Sequence, residues 1–256
     1  MAERMIDGGL RPALWARRRL VLERYADVDA AMMTSPAALA AASDVIGLCL
    51  YDSAAIDDVV FGPDGIMEAV RPGSVIAIHS TVGPDYVKAI ASRLADHGVA
   101  IVDAPVSGGP AAAVGELLVI AGGLPPHLAL CGPMFATYSN RVVHVGDVGA
   151  AQAAKLVNNA LMTAITGLVF DAFDLGAALG IDRSGLGEIL ANGSAANPSV
   201  PLYLHLDAEQ FSYRAWPTLH KDVALAQELG IQTPLLIGAA VTTIAEMERR
   251  RAVLAG

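Results

Sequence analysis

Positive charge is what this sequence has least of. Its 17 lysines and arginines stand against 26 aspartates and glutamates, a formal net charge of -9 at pH 7. Such a surface repels phosphate backbones and anionic headgroups, which argues against nucleic acid and against a membrane as partners. Charge of either sign is sparse, at 17% of residues, while 54% are hydrophobic. A sizeable core is therefore easy to build, and a disordered chain is excluded. Cysteine is rarer still. Cys49 and Cys131 lie far apart among apolar residues and read as buried free thiols of a reducing, cytoplasmic compartment, which leaves no disulfide framework. The histidines show no metal-ligand spacing. Met1–Leu10 lacks the apolar run of a signal peptide. Repeats, linkers and low-complexity tails are absent too. The 256 residues allow one large domain or two smaller ones.

What is present is one long helical stretch, Gly146–Asp182 (GDVGAAQAAKLVNNALMTAITGLVFDAFDLGAALGID). Proline is missing between Val148 and Phe170, and alanine and leucine dominate. Some thirty helical residues span roughly 45 Å. Apolar residues fall on every face, which predicts a helix buried all round. Its uninterrupted apolar run reads as too short for a membrane span. Lys155 is the single charge at its centre, with Gln152, Asn158 and Asn159 three or four residues away. A desolvated lysine loses proton affinity and becomes a candidate general acid/base. Alternatively its stem packs and its ammonium reaches water.

Before this helix, apolar strands alternate with helices. Met1–Asp7 reads as a helix, Ala13–Ala16 as a strand followed by Arg17-Arg18-Arg19, and Ser35-Pro36 as a capped helix start. Strands follow at Val45–Leu50, Val75–Ile78, Val99–Val102, Leu117–Ala121 and Val142–Val145. Ser53 caps the helix Ala54–Val60, and Pro84 opens Asp85–His97. This alternation predicts a parallel sheet covered on both faces, with ligands beyond the carboxyl ends of its strands. Those ends are Tyr51-Asp52, His79-Ser80-Thr81 and Asp103–Gly109. In Asp103–Gly109 (DAPVSGG) a serine precedes two glycines, an arrangement that suits either a carboxylate cradle or a plain tight turn. After Val145 the pattern is helical: Ser184–Leu190, Asp222–Leu229 and Leu235–Arg251, with Asn192–Pro201 as a loop. Arg249–Arg251 read as a solvated helix end.

DAPVSGG, the GxxG…KxxxN pattern in Gly146–Asn159 and His220-Lys221-Asp222 together resemble the β-hydroxyacid dehydrogenase family, which includes 3-hydroxyisobutyrate dehydrogenase and semialdehyde reductases. The resemblance covers nearly the whole chain. It implies a Rossmann-like α/β domain over 1–145, then a long interdomain helix that opens an all-helical domain over 146–256. It implies hydride transfer between NAD(P)H and a short β-hydroxy acid or semialdehyde. Lys155 matches the family's catalytic lysine and Asn159 its substrate-orienting asparagine. Ser107, Gly108 and Gly109 match the loop that holds the substrate carboxylate, and Lys221 and Asp222 the pair that closes over the site. Ser80 and Thr81 match a pair near the nicotinamide ribose. Arg17 and Arg18 stand where an NADP enzyme grips the 2′-phosphate, so NADP is expected, with NAD possible. A homodimer or homotetramer is implied.

Two departures from the family pattern stand out. Ala151 replaces a usual glycine. The opening strand and its GxGxMG-like turn are absent, because Met1–Met5 resembles the helix that follows them. The competing readings are a non-catalytic dimeric scaffold and an imine reductase, and Lys155 counts against the latter. Weak NADPH binding by the 256-residue chain is expected.

Overall fold

In the computed structural model, which describes residues 1–205, 208–231 and 233–254, the chain divides within the long helix into two compact units, Met1–Lys155 and Leu156–Gly256. The first unit opens with helix α1 (Ala2–Asp7) and the short strand β1 (Ala13–Leu14). A 3₁₀ turn, Arg19–Tyr25, and a second strand, β2 (Ala31–Met32), follow. Neither was visible in the sequence, since two paired residues leave no periodicity to read. Then come α2 (Pro36–Ala41), β3 (Val45–Leu48), α3 (Ser53–Phe61), β4 (Val75–Ile78), α4 (Pro84–Ala95) and β5 (Ala100–Asp103). The Ser35 hydroxyl accepts the Ala38 N–H at 3.1 Å, as its sequence position predicted. The cap of α3 is Asp52 rather than Ser53: its carboxylate accepts the Ala55 N–H at 2.9 Å, and Ser53 is the first helical residue. The remaining elements are β6 (Val106–Ser107), β7 (Leu117–Gly122), α5 (Pro125–Tyr138), β8 (Ser139–Gly146) and the start of α6 (Ala150–Ala178).

β3, β4 and β5 pair in parallel, Leu48 opposite Ile78 and Ile78 opposite Asp103. β7 pairs in parallel with β8 but runs antiparallel to β5 and β6, so the sheet is parallel-dominated rather than wholly parallel. Residues 104–116 contain no crossover helix, and a parallel return would need one. Val75–Ile78 is fully buried because successive side chains enter two cores. Ile76 and Ile78 pack with Ile56, Val60, Ile90 and Leu94, while Val75 and Ala77 pack on the α5 side with Phe135 and Tyr138.

β1 and β2 pair in parallel with each other and stand apart from the main sheet. A cleft of about 520 Å³ lies between β1 and β3, lined by Ala13, Leu14, Val45, Gly47, Cys49 and Tyr138, among others. Cys49 opens onto this cleft, which corrects the expectation of a buried thiol; Cys131 is buried, and both are free. The surrounding protein still pushes both thiols up, Cys49 to about 11 and Cys131 to about 12.

The second unit contains most of α6, then α7 (Arg183–Asn192), α8 (Ser199–His205), α9 (Ala208–Glu228) and α10 (Pro234–Ala252). No strand follows Gly146 among the described residues. α8 begins inside the expected loop and runs past its end, and α9 begins well before Asp222 because Pro217 is accommodated within it. Leu156, Ala160, Phe170 and Phe173 of α6 pack on Tyr203, Leu219, Val223 and Met247. The all-round burial expected of α6 does not occur: Val157, Leu161, Leu168 and Leu175 are exposed at helical spacing. By length and composition α6 does pass as a membrane span, yet so do core helices, and its opposite face forms this core. Arg249 is exposed as expected, but Arg250 is mostly buried and Arg251 partly so. Arg250 pairs with Asp174 and Glu246, and Arg251 lies 3.7 Å over the Trp216 ring.

Candidate active site

In the first unit the carboxyl ends of β1 and β3 frame a crevice of about 450 Å³. Trp15, Ala16, Arg17 and Arg18 line one side, and Leu48–Tyr51 the other. Such a crevice beside the strand-order switch is where open α/β sheets bind ligands. Its two guanidiniums suit a phosphate.

The ends of β3 and β4 are tied together: the Ser80 hydroxyl accepts the Leu50 N–H at 2.8 Å. His79 beside it is occupied on both ring nitrogens, by the Ala104 carbonyl at 2.6 Å and the Tyr138 hydroxyl at 2.9 Å. Burial lowers its pKa to about 4, so at neutral pH it is an uncharged structural link rather than a base. The segment after β5 forms the expected turn. Ser107 pairs with Leu118, Gly108 sits at φ 110° and Gly109 at φ 28°. Gly108 is in a conformation that side-chain-bearing residues rarely adopt.

The start of α6 is stitched to these strand ends. The Gln152 N–H donates to Asp103 Oδ2 at 3.0 Å. Its side chain accepts the Val82 N–H at 3.1 Å and donates to the Ser80 carbonyl at 3.0 Å. Lys155 follows three residues later and is 8% exposed. Ala151 is fully buried, so its methyl is taken up where the family pattern has glycine.

The second unit carries its own polar cluster. Asn159, one helical turn after Lys155, donates to Asp222 Oδ2 at 2.5 Å and accepts from the Asn158 side chain at 3.0 Å. Lys221 Nζ lies 2.7 Å from Asp222 Oδ1. Asp222 is 1% exposed. A buried carboxylate is tolerated only when paired, and here one carboxylate fixes both the asparagine amide and the ammonium. The structure therefore gathers Asn159, Lys221 and Asp222 in one unit. Arg17, Arg18, Ser80, Thr81, Ser107–Gly109 and Lys155 belong to the other. Sequence reasoning missed Asp103 and Gln152 as site-building residues. Their signal was faint, an acid closing an apolar strand and an amide one turn before the lysine.

Residues 1–146 match the family model described as the NAD binding domain of 6-phosphogluconate dehydrogenase. Residues 149–252 match that described as NAD-binding of NADP-dependent 3-hydroxyisobutyrate dehydrogenase. 2-(Hydroxymethyl)glutarate dehydrogenase of Eubacterium barkeri is 31% identical over 214 residues, covering 81% of this chain and 71% of its own. Among solved structures, 3-hydroxyisobutyrate dehydrogenase from Salmonella typhimurium superposes with a TM-score of 0.82 at 22% identity, over 95% of this chain and 88% of that one. Psf3 in complex with NADP+ and 2-OPP gives 0.84 at 21%, over 94% and 87%. With both of its halves matched in order, and with Lys155 and Asn159 one turn apart at their junction, the chain belongs to the β-hydroxyacid dehydrogenase family of NAD(P)-dependent oxidoreductases.

Proposed function

We propose that this chain transfers a hydride between NADP and a short β-hydroxy acid or semialdehyde acid, with Lys155 as the general acid/base. The observation that carries this reading is Lys155 itself. It is the charge of an otherwise apolar helix segment, nearly buried, and its helix is fastened to the strand ends that precede the Ser107–Gly109 turn. When bound, the nicotinamide supplies or accepts the hydride. Lys155 Nζ takes the hydroxyl proton as the alcohol is oxidised and returns it to the oxygen in reduction. Ser107 and the Gly108 and Gly109 amides hold the substrate carboxylate. Asn159 orients the hydroxyl, its amide held by Asp222, and Lys221 adds a cation. Arg17 and Arg18 favour the 2′-phosphate, giving a higher kcat/KM with NADP than with NAD; parity between them would remove that assignment.

Valine or alanine at Gly108 would strain the turn whatever its ligand, so Ser107→Ala is the cleaner test of the cradle. Losing one hydrogen bond to a charged group costs about 1.5–3 kcal/mol. The substrate KM should therefore rise by about 10–100-fold, with cofactor binding unchanged. An unaltered KM would place the carboxylate elsewhere.

The second unit supports a homo-oligomer. Val157, Leu161, Leu168 and Leu175 form an exposed apolar stripe along one face of α6, the kind of surface that a second copy of the chain would cover. Sedimentation should show at least a dimer at micromolar concentration, and Leu168→Glu should shift it towards monomer. A wild-type chain that sediments as a monomer at that concentration would contradict this.

A further inference from the structure

We propose that Asp103 and Gln152 are positioning residues for Lys155, locking the first turn of α6 to the carboxyl ends of β4 and β5. The inference rests on the role proposed for Lys155.

Helices begin with unsatisfied N–H groups, and a neighbouring side chain ordinarily caps them. Here the acceptor comes from Asp103, 49 residues earlier, at the last position of β5. The amides of Gly149 and Ala151 also turn towards this carboxylate. Asp103 is fully buried, and desolvation raises its pKa while these amides oppose the rise. The site is shaped around it. A Cβ on Gly122 would come within 2.3 Å of Asp103 Oδ1, so the strand beside it needs glycine.

Gln152 completes the lock. It is fully buried, and its side-chain oxygen and nitrogen engage Val82 and Ser80, 70 and 72 residues back. A helix that needed only a cap would not need both ends of this amide. Three hydrogen bonds thus set the rotation and height of α6 at residue 152. Lys155 lies three residues further on, on the same side of the helix. Asp103 lies four residues before Ser107 on the other arm. One residue pair therefore fixes the proton-transferring amine relative to the turn after β5.

The sequence holds three lysines, Lys88, Lys155 and Lys221, so amine acylation followed by mass spectrometry reads Lys155 directly and needs no turnover. Lys88, on the exposed face of α4, serves as the internal reference. Gln152→Leu keeps the side-chain size and removes both side-chain bonds. We expect Lys155 to acylate at least tenfold faster relative to Lys88 in this variant. kcat should fall by about 10²-fold, the cost of a misplacement on the order of 1 Å, while the cofactor KM stays within twofold. Gln152→Glu keeps the Val82 bond and guards against a misfolded leucine variant. Its carboxylate on the lysine side of the helix should move the alkaline limb of the kcat profile upward. A folded Gln152→Leu with unchanged Lys155 labelling and unchanged kcat would overturn the proposal, as would a Gln152→Glu profile identical to wild type. Lys155→Ala in the same assays separates the two ideas. Full turnover without the lysine would sink its catalytic role, whereas the labelling result would still decide whether Gln152 positions it.

Discussion

Lys155→Ala is expected to lower kcat by about 10²–10⁴-fold, the usual contribution of a positioned acid/base group. Lys155 is 8% exposed, so the variant also empties a buried position, and any cost in stability is read separately as a fall in melting temperature. Both KM values should change much less than kcat, because the proton moves only as the transition state forms. The loss should be shallower at high pH, where hydroxide and water take the alcohol proton more readily. The measurement is steady-state kinetics of the two forms with the melting temperature recorded alongside. Wild-type turnover by a folded Lys155→Ala would assign the proton transfer to another group.

NADPH binding is the second large effect. The crevice at the carboxyl ends of β1 and β3 offers Arg17 and Arg18 to a phosphate. Arg17→Ala combined with Arg18→Ala should therefore weaken NADPH binding by at least 10²-fold, since each hydrogen bond to a charged group adds about 1.5–3 kcal/mol. Calorimetric titration of the two forms compares them directly. NADPH binding by the double variant as tight as that of the wild type would show that the arginines hold no phosphate.

The parts of this fold that were legible in the sequence share a cause. Val75–Ile78, the Ser35-Pro36 cap and the stop at Gly180 are decided locally, by apolar runs, capping chemistry and a left-handed glycine. The motif residues were legible because short spacings, such as Lys155 to Asn159, become neighbours on any helix. What escaped was decided by distant residues. β2 exists through two pairs with β1. The exposed stripe on α6 depends on which helices the chain lays against its other face. Arg250 and Arg251 look like a solvated terminus until Asp174, Phe170 and Trp216 are placed beside them. Asp103 and Gln152 lie 49 residues apart, and nothing in either local sequence announces their bond.

The central claim is that this chain oxidises short β-hydroxy acids with NADP through Lys155. The most direct test follows nicotinamide absorbance at saturating NADP, with a panel of β-hydroxy acids and, for each, its carboxylate ester. Turnover is predicted with at least one free acid, with loss of activity on its ester, with a lower kcat/KM for NAD, and with little activity in Lys155→Ala. Equal turnover of acid and ester, or no turnover of any acid by a chain shown to bind NADPH, would contradict it.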